Sequence, residues 1–161
     1  MPVSLDEIDV RLLHELQLDA DRPNVDLARL VGLSPAATLN RVRRLKESGV
    51  IRGIRARLDS AAAGFTLQVY VSVTLARHDD ASHRRFVQEV SSIDQVIAAD
   101  WVAGETDALL MIVARDVAEL QLTLSRLSTR AGAQRIITLL RLEEIKPASP
   151  LPLAATRASG R

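Results

Sequence analysis

The amino-acid sequence predicts an α+β chain in two parts, a three-helix module followed by a domain ordered β-α-β-β-α-β. Two rhythms and one charge pattern carry that expectation. Up to Leu45, apolar residues recur at three- and four-residue intervals, the period of a half-buried helix. From Leu67 they alternate with polar residues at a period of two, the mark of a strand with one buried face. Positive charge gathers in the short stretch between these regimes.

Taken in order, Leu5, Ile8, Leu12 and Leu16 predict a first helix over 5–18, with Ser4 or Asp6 as its cap. "DADRPN" breaks it. "VDLARLV" predicts a second helix with Asn24 as cap, Leu27, Leu30 and Val31 turned inward, and Gly32 as its stop. "SP" opens a third. Ser34 can accept from the orphan amides of the first turn, and Pro35 sits where its missing donor costs nothing. Thr38, Val42 and Leu45 share the inner face, and Gly49 ends the helix. "VIRGIRARL" predicts a hinge strand leading out of the module, and "DSAAAG" interrupts the pattern.

The second part opens with "TLQVYVSVTLA", where Leu67, Val69, Val71, Val73 and Leu75 alternate with Thr66, Gln68, Tyr70, Ser72 and Thr74. "ASHRRFVQEV" predicts a helix with Phe86, Val87 and Val90 inward. "QVIAADWVAG" and "ALLMIVA" predict two strands joined by the tight turn "GETD". Val117, Leu120, Leu124 and Leu127 mark a helix from near Asp116, and "RIITLLRLEEI" a last strand. This order makes a split βαβ pair. It gives an antiparallel sheet with helices on one side and an uncovered, partly apolar side that suits a second subunit. The expected boundaries are 1–50 for the helical domain, 51–64 for hinge strand and linker, and 65–147 for the sheet domain. Residues 148–161 form an extended tail with a disordered end.

Composition narrows the chemistry. The absence of cysteine excludes disulfides, thiolate metal ligands and cysteine nucleophiles. The opening "MPVSLDEIDV" lacks the basic start and apolar run of a signal peptide, and no apolar run is long enough to cross a bilayer. A cytoplasmic location is therefore expected, with no membrane partner. Up to Ala28 seven acids meet two bases, a balance of −5. From Arg41 to Arg57 seven bases meet one acid, a balance of +6. From Ala61 onward bases and acids balance. A local basic patch suits one anionic partner.

That patch centres on the third helix. With Thr38, Val42 and Leu45 inward, Leu39, Asn40, Arg41, Arg43 and Arg44 face elsewhere. Two helices joined by a tight turn present the second one at the surface, where it fits the major groove of double-stranded DNA. Arginine can pair bidentately with guanine and asparagine with adenine. Pro35, Ala36 and Ala37 are small enough to approach base edges, and Ser34 with the helix N-terminus can meet a phosphate. Arg52, Arg55 and Arg57 extend the positive zone and are expected to neutralise backbone phosphates. The plain alternative is a solvated basic face. No aromatic stacking platform accompanies the patch, which disfavours RNA.

The stretch "LDEIDVRLLHELQLDADRPNVDLARLVGLSPAATLNRVRRLKESGVIRGIRARLD" resembles the Lrp/AsnC, or feast/famine, family of transcription regulators. "VAGETDALLMIV" matches that family's glycine-x-x-aspartate strand-turn-strand, and "TLLRLEEIK" with "LPL" its closing strand and tail. The likeness covers about residues 4–153. It implies a winged or plain helix-turn-helix domain, a hinge strand and a ferredoxin-like effector domain. It also implies homodimers paired through the sheets, assembling to tetramers, octamers or larger discs, and an amino-acid effector bound between dimers. Ser34, Pro35, Leu39, Arg41, Val42, Arg43, Arg44 and Leu45 fall on the family's recognition helix, and Asn40 on a variable position. Gly104, Asp107 and Thr138 fall on matching positions of the effector domain.

An amino-acid zwitterion needs acceptors for its ammonium and donors for its carboxylate. The Trp101, Val102, Ala103, Gly104 stretch offers backbone groups, Asp107 a carboxylate, Thr138 a hydroxyl, and Trp101 and Leu109 apolar walls. The plain alternative is that Gly104 permits the turn and Asp107 caps local amides. His78, Asp79, Asp80 and His83 match no common metal spacing, and neither a metal nor another cofactor is expected. The remaining alternatives are an effector-independent DNA-organising protein of the same fold and, remotely, an enzyme built on the ferredoxin-like domain.

Overall fold

The computed structural model describes residues 4–154; the tail's last residues, 155–161, expected to be disordered, lie outside the described ones. The chain divides into two compact units. The first takes residues up to Ala56 together with those from Lys146 onward, and the second takes Arg57–Ile145.

In the first unit, α1 (Glu7–Leu18) starts at Asp6, not Ser4. Asp6 Oδ1 accepts the Asp9 N–H at 2.8 Å, and Asp9 Oδ2 accepts the Asp6 N–H at 3.3 Å. Each carboxylate thus satisfies an amide that the helix leaves open. The second helix, α2 (Asn24–Val31), is entered from Pro23 without a side-chain cap. Asn24, expected as that cap, instead donates its amide to the Pro35 carbonyl at 2.8 Å, tying the start of α2 to that of α3 (Pro35–Glu47). Ser34 caps α3, accepting the Ala37 N–H at 3.2 Å. Gly32 and Gly49 follow α2 and α3 at φ +72° and +75°, where any Cβ is strained.

Leu12, Leu27, Val31 and Val42 form the apolar centre, flanked by Ile8, Leu16, Leu33 and Ile51. Leu30, expected inward, is exposed, because the buried face of α2 runs through Leu27, Ala28 and Val31. Among the described residues no hairpin follows α3, so the helices form the plain variant of the motif. The segment expected as a hinge strand, 51–58, has no ladder partner among the described residues, since the sheet's four strands all come from later residues. Near the other end of the chain, the Leu151 N–H donates to Gln17 Oε1 at 2.7 Å. Leu151 and Leu153 share a hollow with Leu13, Leu16 and Ile51.

The second unit runs β1 (Leu67–Leu75), α4 (Asp80–Ser91), β2 (Val96–Trp101), β3 (Ala108–Ala114), α5 (Val117–Thr129), β4 (Ala133–Leu140). The strands lie in the order β2-β3-β1-β4, all antiparallel. Val69, Val71, Val73 and Leu75 pack with Leu110 and Ile112, Phe86 and Val90 of α4, and Leu127 of α5. Arg126 of α5 bonds Glu89 of α4 at 2.6 Å. Val87, expected in this core, is exposed: Phe86 and Val90 already span the inner face of α4. The last strand stops at Leu140 rather than near Ile145. β1 begins at Leu67, so after the Arg141 N–H bonds the Gln68 carbonyl there is no ladder left to extend.

The other face of the sheet has no cover among the described residues. Register places Tyr70 beside Met111 and Leu139, and Ser72 beside Leu109 and Ile137. Leu109, Ile137 and Leu139 are 38%, 40% and 54% exposed.

Candidate nucleic-acid interface and effector region

Helix α3 sorts its side chains by face. Thr38, Val42 and Leu45 are buried. Ser34, Pro35, Ala36, Leu39, Asn40 and Arg43 are exposed, and Ala37 is half-buried. The Asn40 amide and the Arg43 guanidinium make no hydrogen bond or ion pair among the described residues. Small groups at the helix start therefore leave room ahead of an open amide and an open guanidinium.

Arg41 and Arg44 are placed otherwise. Spaced by three, they share a stripe bordering the buried face, and that stripe meets the first turn of α1. Arg41 Nη1 donates to Asp6 Oδ2 at 2.6 Å and to Asp9 Oδ1 at 2.9 Å. Arg44 Nη2 donates to Asp9 Oδ2. Asp9 is 1% exposed, Arg41 27% and Arg44 57%. Arg41 is thus a clamp between helices and not the outward contact expected of it, while Arg44 is held at one nitrogen and open elsewhere. The Asp9 backbone N–H, then the Arg41 guanidinium, hold the Asp6 carboxyl below its ordinary 3.8. The same carboxylates, Asp6 first, raise the Arg41 guanidinium further above its already high ordinary value. A signal for this pairing was present in the sequence: acids spaced by three in the first helix and arginines spaced by three in the third.

Past these pairs, Arg43, Lys46, Arg52 and Arg55 are exposed and carry no ion pair among the described residues. Lys46, one turn beyond Arg43, was missing from the expected contact set. Arg57, expected to join it, instead grips both oxygens of Glu144 at 2.6 and 2.8 Å.

The effector region is less convergent. Trp101 ends β2 opposite Ala108, on the helix side of the sheet. Its ring stacks on His83 at 4.9 Å and tilts against Phe86 at 5.2 Å, walling a groove of about 250 Å³ between α4 and the sheet edge. Leu109 pairs with Asp100 and lies on the opposite face, so the two expected walls cannot line one pocket in a single chain. Thr138 pairs with Val71 on the far outer strand, three strand spacings from Trp101, or about 14 Å.

The Asp107 carboxylate does not cap the amides of its own turn but reaches across to β1. Its Oδ2 accepts the Leu75 N–H at 2.7 Å, next to the register shift that ends the β1–β4 ladder, and faces His78 Nδ1 at 3.9 Å. Its backbone bonds Val73 and Val102 at 2.9 and 3.0 Å. Between them Val102, Ala103 and Gly104 form an exposed turn, with Gly104 at φ +148°. Among the described residues no three His, Asp or Glu side chains come together to hold a metal, His78, Asp79, Asp80 and His83 included. No described helix is long and apolar enough to cross a membrane.

Residues 5–46 match the AsnC-type helix-turn-helix domain, and residues 68–151 the Lrp/AsnC ligand binding domain. The chain is 39% identical over 147 residues to the leucine-responsive regulatory protein of Rhizobium meliloti, covering 91% of this chain and 94% of that one. Its structure is similar to that of a transcriptional regulator from Neisseria meningitidis in complex with L-Met. The TM-score is 0.85 at 29% identity, covering 92% and 97% of the two chains. A feast or famine regulatory protein from M. tuberculosis complexed with L-methionine matches with a TM-score of 0.81 at 31% identity, over 89% and 96%.

Proposed function

The chain belongs to the Lrp/AsnC family of helix-turn-helix transcription regulators, and from that premise we propose a sequence-specific, homo-oligomeric DNA-binding regulator tuned by a small amino acid. The observation that carries the reading is the α3 surface. Small residues from Ser34 to Ala37 precede the Asn40 and Arg43 side chains, and Lys46, Arg52 and Arg55 follow, all five without a side-chain hydrogen bond or ion pair among the described residues. Asn40 and Arg43 read base edges, with Leu39 against a thymine methyl. The flanking cations neutralise phosphates. In a dimer two such helices address half-sites on one face of the duplex.

The test is selection of duplexes from a random-sequence pool by the full chain. Enrichment of a sequence with two-fold symmetry is expected; recovery of the pool unchanged overturns sequence-specific binding.

The partner subunit covers the open sheet face through Leu109, Met111, Ile137 and Leu139. Leu139→Glu would bury an unpaired carboxylate there, which costs several kcal/mol. The variant is expected to sediment as a monomer at concentrations where the parent is a dimer or larger. An unchanged sedimentation profile would place the interface elsewhere.

L-Met in the two related structures supports an amino-acid effector. Because one chain keeps Trp101, Leu109 and Thr138 apart, the site takes residues from more than one subunit, with Val102, Ala103 and Gly104 supplying backbone groups. Asp107 serves by fixing this turn. In a thermal-shift screen of the twenty amino acids, at least one raises the midpoint of the parent, and Asp107→Ala shrinks that shift by more than half. A screen with no shift selects the effector-independent alternative; an equal shift in the variant removes Asp107 from the site.

A further inference from the structure

Among the described residues, Asp9 is the one charged side chain that is fully buried. Stability alone does not explain an acid there. Its bond to the Asp6 N–H is half of a helix cap, but burying a carboxylate is costly, and replacing a buried ion pair as a whole by apolar residues is often neutral or stabilising. What the acid does supply is a fixed point for two guanidinium groups. Its Oδ1 takes Arg41 at 2.9 Å and its Oδ2 takes Arg44. The carboxylate is itself anchored, since Asp9 is locked with Asp6 in the capping box at the start of α1.

The two arginines differ in what this leaves them. Arg41 divides its bonding nitrogen between Asp6 and Asp9 and is mostly covered. Arg44 gives one terminal nitrogen to Asp9, and its side chain is 57% exposed. Its Nε and Nη1 have no acceptor among the described residues. A free arginine wanders over many rotamers and must be ordered when it meets its target. One tethered from beneath is already ordered, and pre-ordering favours the complex. Arg44 lies in the second half of α3, beyond the first turn that approaches base edges, where contacts to phosphate fix register without reading sequence.

We infer that Asp9 is a positioning residue for DNA recognition: it aims the open side of the Arg44 guanidinium at one phosphate, so setting the register in which Asn40 and Arg43 meet the bases. The inference rests on the DNA-binding reading above.

Charge and position make opposite claims here. Removing an acid beside a DNA surface raises local positive potential and tightens binding to every duplex alike. Removing a positioning group spoils the chosen duplex in particular. The experiment uses the duplex that the parent enriches from a random pool, with a scrambled duplex of equal length as reference. Binding is measured well below the unfolding midpoint of each protein. In Asp9→Asn, affinity for the scrambled duplex is expected to rise, and the preference for the enriched duplex to fall at least tenfold. Arg44→Lys keeps the charge and the reach to Asp9 but loses the planar donors facing away. It tests the same point should Asp9→Asn fail to fold, and is expected to lose preference by a similar factor. Combined, the two changes are expected to cost no more than the larger alone, as members of one network do. Preference that survives in either folded single variant, or losses that multiply in the double variant, overturns the inference while DNA binding stands. A parent that enriches no duplex overturns the DNA-binding reading, and this inference with it.

Discussion

Replacing Arg41 and Arg44 together by alanine is expected to destabilise the three-helix unit strongly and leave the stability of the sheet unit unchanged. Asp9 is 1% exposed, and those two guanidinium groups are its ion-pair partners. Without them a buried carboxylate stands uncompensated, a change that costs about 3–5 kcal/mol. Both arginines are partly open to water, which argues for the lower end, about 3 kcal/mol. For a small unit that is a large part of the total. Two optical probes separate the outcomes. Trp101, the sole tryptophan, lies in the sheet unit, so its fluorescence reports that unit. The helical dichroism lost at lower temperature reports α1–α3. An early dichroism transition with unmoved fluorescence is the expected pair; a midpoint equal to the parent's would mean that water reaches Asp9 and the cost is small. Changing all three residues to apolar ones (Asp9→Leu, Arg41→Met, Arg44→Met) is expected to restore most of the stability.

Acid acts on the same cluster. The Asp6 carboxyl is held below its ordinary value in the folded state. Its contribution is therefore complete above the ordinary carboxylate range and is lost as pH falls through the lowered value. The midpoint of the three-helix dichroism should accordingly fall as pH drops through that value, and acid should also weaken the sheet unit, where the Ser82 amide holds the Asp79 carboxyl down at about 2.

The second large effect concerns the cations that stay open. Alanine at Arg43, Lys46, Arg52 and Arg55 together is expected to flatten the logarithmic dependence of DNA affinity on salt by about 3–4. Lys46, Arg52 and Arg55 each contribute about 0.9 to that slope through a phosphate, and Arg43 up to as much through the counterions its charge displaces in the groove. At about 0.1 M salt the same arithmetic gives an affinity loss on the order of a thousandfold. The fold should not change, because these side chains are exposed and carry no ion pair among the described residues. Arg57→Ala serves as the contrast: its guanidinium is committed to Glu144, and its removal should leave the slope where it was. A slope unaltered by the four changes would move the DNA surface off α3 altogether.

Periodicity made the architecture legible. Alternation from Leu67 to Leu75 marked β1 and its buried face, and Ser34, Pro35 and Gly49 marked the ends of α3. The misplaced side chains share a cause. Leu30 and Val87 are apolar residues beside an inner stripe that their neighbours already complete, and hydrophobicity alone does not say where a stripe ends. The extent of β4 was overstated because a strand is as long as its partner, and the partner's start is not a property of the last strand's own residues.

The site was legible by residue type and less so by partnership. Counting charge located the patch on α3, but a sum over one segment hides cancellation across space. Arg41 spends its charge on α1, and Arg57 spends its own on Glu144. The effector region was harder still. Strand parity puts Trp101 and Leu109 on opposite faces and Thr138 on the far strand, facts that depend on pairing order.

The helix-turn-helix unit is not one uninterrupted length of chain. Leu151, more than ninety residues after Ala56, returns to it and bonds Gln17. A genetic graft of residues 1–56 onto another protein would therefore carry the reading helix but not the leucines that shield the back of α1. A chimaera that exchanges recognition between regulators must transplant both ends of the gene, and a protease cut just before Lys146 would loosen a reading head far away in sequence.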